Sequence, residues 1–132
     1  MKIETIASAV LLTLAWMQPA AADPANEIKR TVLQQAPIPG TGLEMRVLLI
    51  ECPPGVAAPV HRHPVVGINY ILQGEAETAF ADEPAHTYHA GESFQDKAGV
   101  PHTTFRNTSR TEPLRFLVYY AIKPGEPTLT IP

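Results

Sequence analysis

The chain has 132 residues, a net charge of -3, 45% hydrophobic and 17% charged residues. These values fit one globular domain and exclude a disordered chain; without a Lys/Arg run they also exclude a nucleic-acid binder. Fourteen prolines and eight glycines are too many for a helical bundle and punctuate the chain as turns between short strands do.

The first element is a leader. Lys2 precedes an apolar run from Ile6 to Met17, and small residues follow at Ala20-Ala21-Ala22, before Asp23. This is the layout of a secretory signal with an A-x-A cleavage site, although Glu4 is unusual in the charged leading region. The run is short of the roughly 20 residues that span a bilayer. Residues 1–22 are therefore expected to be a signal peptide, which implies a periplasmic or secreted protein with no membrane association after cleavage. What remains is long enough for one modest core. Cys52 is the only cysteine, so no internal disulfide is possible. Its place after "RVLLIE" favours a buried structural thiol.

A polar, Pro-rich lead-in (23–39) is expected to mix loop and edge strand, ahead of a main domain over 40–132. "LEMRVLLIE" (43–51) reads as a strand with Leu43, Met45, Val47 and Leu49 on one buried face. "VVGINYILQ" (65–73) is a strand that Gly74 turns, and "EAETAFAD" puts Ala76, Thr78 and Phe80 on one face. "HTYHA" is a short strand and "ESFQDKAGVP" carries a turn. "HTTFRN" and "LRFLVYYAI" (114–122) are strands. Short strands with regular turns and no long helical period after the leader argue for an all-β sandwich or barrel.

Chemistry concentrates in the histidines. His61 and His63 are two apart, so on a strand both face one side and Arg62 faces the other. Two imidazoles hold a metal weakly, and His102, opening a strand after a turn, is the best third ligand. His86 and His89 have no matching partner. If His63 and Gly67 face inward, Asn69, Ile71 and Gln73 do too, and Asn69 becomes a candidate oxygen ligand or substrate contact. Ile68, Tyr70 and Leu72 then form a second apolar face that needs a cover, such as a second subunit. By the same parity Arg106 shares a face with His102. There it would bind a carboxylate or phosphate group of a small molecule; the alternative is an exposed arginine paired with a surface acid. Tyr88, Tyr119 and Tyr120 are strand residues, any of which can supply a phenol. No catalytic residue can be named from spacing.

Two stretches resemble the signature motifs of the cupin superfamily. Gly55, His61, His63 and Gly74 fall on the first, Gly-x5-His-x-His-x3-4-Glu-x6-Gly, with Gly67 where the family has glutamate. Gly91, Gly99 and His102 fall on the second, Gly-x5-Pro-x-Gly-x2-His-x3-Asn, with Lys97 at the proline and Asn107 one place late. The resemblance covers roughly residues 40–122. It implies an all-β double-stranded β-helix, or jelly-roll barrel, with a divalent metal ion inside and a small-molecule ligand as its partner. Cupins use iron, manganese, nickel, zinc or copper on three histidines and one glutamate; only His61, His63 and His102 carry over. A homodimer is expected. Two functions stand side by side: a metal-dependent oxygenase, isomerase or lyase acting on a small organic substrate, and a non-catalytic periplasmic protein that binds a metal or small ligand.

Overall fold

The computed structural model describes residues 27–132; the expected signal segment lies outside them. Eight strands follow in order: β1 (Lys29–Ile38), β2 (Leu43–Cys52), β3 (Gly67–Gln73), β4 (Glu75–Phe80), β5 (His86–His89), β6 (Ser93–Asp96), β7 (His102–Asn107) and β8 (Leu114–Ile122). They form a five-stranded sheet, β1-β2-β8-β3-β6, and a three-stranded sheet, β5-β4-β7, with every strand pair antiparallel. This is the all-β jelly roll that the two motifs imply. The lead-in supplies β1 as the edge of the larger sheet.

Alternation sets what each sheet buries. On β8, Leu114, Phe116, Val118, Tyr120 and Ile122 face the interior; on β3, Asn69 and Ile71 do. Phe94 and Phe105 come from β6 and β7 and pack with Phe116 between the sheets. β3 passes to β4, in the other sheet, through Gly74. Its φ is +81° and a Cβ there would lie 2.6 Å from the Pro113 carbonyl oxygen, so only glycine fits this crossing.

Two local expectations change. On β2 the buried set is Leu48, Ile50 and Cys52, not Leu43, Met45, Val47 and Leu49. Both faces of this strand are apolar, so alternation alone cannot tell inside from outside. The segment 92–101, expected to carry a turn, also contains β6, where Phe94 and Asp96 are buried and Ser93 and Gln95 exposed. Cys52 is fully buried, its Sγ 3.4 Å from the Val56 carbonyl oxygen, and burial raises its pKa. Ile68, Tyr70 and Leu72 do form an outward face, each more than 40% exposed, beside Tyr119.

Candidate metal centre and its surroundings

His61 and His63 lie on the chain between β2 and β3, where short bridges hold the backbone. His61 pairs with His102 at the start of β7: the His102 amide donates to the His61 carbonyl at 2.8 Å. The Gly99 amide donates to the His63 carbonyl at 2.8 Å. Arg62, between them, turns outward and donates to the Gly99 carbonyl. The backbone pairing thus brings two distant segments together, and all three imidazoles are buried, with one ligand atom of each within 4.8 Å of the others.

Hydrogen bonds fix the ring nitrogens. His61 Nδ1 is 2.7 Å from the Pro59 carbonyl and His63 Nδ1 is 2.9 Å from the Thr128 carbonyl. A carbonyl only accepts, so each Nδ1 carries the proton and each neutral ring keeps its lone pair on Nε2. The two Nε2 atoms face each other at 3.1 Å. Two lone pairs at that distance repel unless a cation lies between them. Nitrogens each about 2.1 Å from one ion stand roughly 3.0–3.4 Å apart at ordinary coordination angles. His102 Nε2 is 2.6 Å from Thr78 Oγ1, while its Nδ1 is buried without a partner. Phe80 stacks on the His102 ring at 4.1 Å. Burial, followed by the neighbouring His61 and His63, lowers the His102 pKa to about 3; burial also lowers that of His61. These are rings held in the neutral form that metals bind, so the donor set fits a divalent ion.

Beside the histidines lies a carboxylate that the sequence reading missed. Asp96 pairs with Gly67 across the β3–β6 ladder, and Tyr120 pairs with Gly67 on the other side. A Cβ built on Gly67 would stand 2.5 Å from Tyr120 Cε1 and 2.6 Å from Asp96 Oδ2. The space beside residue 67 is therefore filled by those two side chains. Tyr120 donates its hydroxyl proton to Asp96 Oδ2 at 3.0 Å and also lies 3.3 Å from His63 Nδ1. Asp96 Oδ2 is 3.7 Å from His63 Nε2. Desolvation raises the Asp96 pKa, against the pull of His63, Asn69 and Tyr120; burial and then Asp96 raise that of Tyr120. Asn69 is buried next to this pair and favours the Asp96 carboxylate, but its Nδ2 makes no hydrogen bond of full geometry among the described residues. These groups line one side of a cavity of about 40 Å³, and Phe94, Phe105 and Phe116 line the other. At one probe sphere per water this holds only a few waters.

Arg106 does not reach this cavity. On β7 the ladder steps from Phe80↔His102 to Ala79↔Thr104, so two residues of β7 span one step of β4. The extra residue, Thr103, reverses the parity beyond it. Arg106 is consequently exposed and forms an ion pair with Glu77 at 2.9 Å. His86 and His89 also lie elsewhere: His86 against Tyr88, His89 3.4 Å from Glu75. Sequence signals for the missed groups were faint. Asp96 sat in a segment expected to carry a turn, Tyr120 was one of several strand tyrosines, and Arg30, which also lines the cavity, lay in the polar lead-in.

Residues 48–120 match the cupin domain family, and the chain belongs to it. No curated protein matches the sequence. Among solved structures, the DMSP lyase DddQ from Ruegeria pomeroyi DSS-3 is similar at 24% identity and a TM-score of 0.65, over 84% of this chain and 54% of that one. The present chain thus spans about half the length of that enzyme. An uncharacterized double-stranded β-helix protein from Klebsiella pneumoniae is 22% identical, with a TM-score of 0.61, covering 87% and 90% of the two chains. Oxalate decarboxylase OxdC of Bacillus subtilis, as an S161A mutant, is 21% identical with a TM-score of 0.51, over 67% of this chain and 28% of that one. At these identities the likeness is one of fold.

Proposed function

We propose that this cupin is a metal-dependent enzyme that moves protons on a small organic substrate, as a lyase or isomerase does. The observation that carries this reading is the buried Asp96–Tyr120 pair, with Asp96 3.7 Å from His63 Nε2. His61, His63 and His102 would hold the ion, which when bound supplies Lewis acidity to a substrate oxygen. Asp96 then takes a proton from the substrate, and Tyr120 holds the carboxylate in place. Asn69 offers its Nδ2 to a substrate oxygen. The apolar wall excludes bulk water, which strengthens each of these interactions. That one solved neighbour is a lyase agrees with this reading without carrying it.

The leader at residues 1–22 supports export to the periplasm or medium, where the protein would meet its substrate. The outward face of Ile68, Tyr70, Leu72 and Tyr119 supports pairing of two copies of the chain, which sedimentation of the purified protein measures.

The test is a panel of small organic acids incubated with metal-loaded protein and followed by NMR. One of them should be consumed, with consumption lost on metal removal and in Asp96→Asn. Saturable retention of ligands with no product from any of them would replace the enzyme with the non-catalytic binding protein.

A further inference from the structure

We propose that Arg30 makes this cavity a receptor for a small carboxylate, so that the substrate of the site is a compact organic acid. The inference rests on the enzyme reading above and names its substrate class. Arg30 stands opposite Ile50 in the β1–β2 ladder. Directly paired residues share a face of the sheet, and Ile50 points into the core at 6% exposure. Arg30 accordingly lies on the inward side of β1, at its edge, where it remains exposed to solvent. It lines the inner cavity with the three histidines, and it also lines an outer pocket of about 260 Å³ that shares Ala58, His61 and Leu129 with that cavity. It therefore borders both spaces.

Its charge has no acidic partner among the described residues. Arg46 is bound to Glu44, Arg106 to Glu77, and Lys29 and Arg115 share Glu51. Arg30 makes one hydrogen bond, to the Ile28 carbonyl at 3.2 Å. Glu27 borders the outer pocket and favours the cation, but it forms no ion pair with Arg30. Desolvation lowers the Arg30 pKa, yet a guanidinium does not give up its proton in a protein. An incoming anion gives it the acidic partner that the described residues do not supply. A divalent ion offset only by Asp96, with Arg30 added, leaves the cavity positive. A carboxylate answers both cations, and the guanidinium fork matches its two oxygens. The small inner volume limits the acid to a short chain.

The test titrates propionate and propionamide into the full chain, metal-free and zinc-loaded, with binding read by calorimetry. Propionate should bind both forms, and propionamide should bind neither comparably. Arg30→Gln should weaken propionate binding by about 10- to 100-fold, and Arg30→Lys by less, because it keeps the charge without the fork. Zinc content should be the same in all three proteins. Propionate affinity unchanged in Arg30→Gln, or propionamide bound as tightly as propionate, would overturn the proposal. The enzyme reading fails separately: propionate binding would remain dependent on Arg30 while no carboxylate of any kind is turned over.

Discussion

Asp96 stands directly across the β3–β6 ladder from Gly67, and its Oδ2 lies 2.6 Å from where a Cβ on residue 67 would be. The position at which cupins carry their glutamate is thus empty of side chain, while the volume that side chain would enter holds a carboxylate from the neighbouring strand. The two residues define each other. Asp96 and Tyr120 fit because residue 67 is glycine, and residue 67 must be small because they are there.

Gly67→Ala should therefore destabilise the protein although it adds one methyl group. The new carbon meets a ring carbon and a carboxylate oxygen well inside contact distance, in an interior with little slack. Overpacking of this kind costs about 1–3 kcal/mol. The urea midpoint should fall with an unchanged m-value. A midpoint equal to that of the parent would mean that Tyr120 and Asp96 yield freely and do not depend on the glycine.

The carboxylate illustrates what was legible in the sequence. The two cupin-like stretches pointed to His61, His63 and His102, because each motif is written in a few consecutive residues, although the His61–His63 pair sits in bridged chain between β2 and β3 rather than on a strand. The inward parity of Asn69 and Ile71 followed from strand alternation. Asp96 was invisible because its partner, Gly67, is 29 positions away in sequence and adjacent only through strand pairing. Arg30 was hidden in the same way, since it reaches the site only after β1 has paired with β2. Arg106 was misplaced for a different reason: one bulged residue, Thr103, reverses a parity that sequence alone takes as continuous.

Metal content should respond to His102 and ignore Arg106. His102→Ala removes one of the three candidate ligands, and protein purified without chelators should then carry far less metal than the parent by elemental analysis. Thr78→Val keeps the three rings but removes the hydroxyl 2.6 Å from His102 Nε2. Loss of such an outer partner costs about 10- to 100-fold in metal affinity. Arg106→Ala, on the outer surface, should leave metal content unchanged. Equal depletion in Arg106→Ala and His102→Ala would dissociate metal binding from the histidine cluster.

Stability of the metal-free protein should fall as the pH drops from about 7 toward 3. His102 has its pKa depressed to about 3 by burial, and that of His61 is also lowered. Over this range the unfolded chain binds protons that the folded rings refuse, so the unfolded state gains. The contribution is fully present above the ordinary histidine value near 6.5 and is lost as pH falls through the folded value. For His102 it is on the order of a few kcal/mol. Asp96 acts with the opposite sign, because its raised pKa favours the folded state at acid pH and erodes it as pH rises. Urea denaturation at several pH values measures the slope, and His102→Gln should flatten it. A slope unaltered by that substitution would assign the pH dependence to other groups.

Asn107 should prove to be a structural keystone, and the bulge explains its position. The family pattern places asparagine four residues after the histidine, whereas here it is five after, one place later for the single residue that Thr103 adds to β7. The bulge restores its inward direction. Asn107 is 1% exposed, its Nδ2 donates to the carbonyls of Cys52, Pro53 and Glu112, and its Oδ1 accepts from the Ser109 amide. One side chain thus ties the end of β2 to the loop between β7 and β8. Asn107→Ala strands several buried polar groups, each worth about 1–3 kcal/mol when left unpaired. It should lower stability by roughly 2–5 kcal/mol. Asn107→Asp replaces the donors with acceptors facing carbonyl oxygens and should be no better tolerated. Deleting Thr103 together with Arg106→Ala, Asn107 then lying four residues after His102, tests the register itself. With the bulge removed, plain alternation still turns Phe105 and Asn107 inward with His102, so the shortened strand should keep far more stability than Asn107→Ala. Urea midpoints of the three variants rank these effects, and an Asn107→Ala protein as stable as the parent would show that solvent satisfies the three carbonyls at no cost.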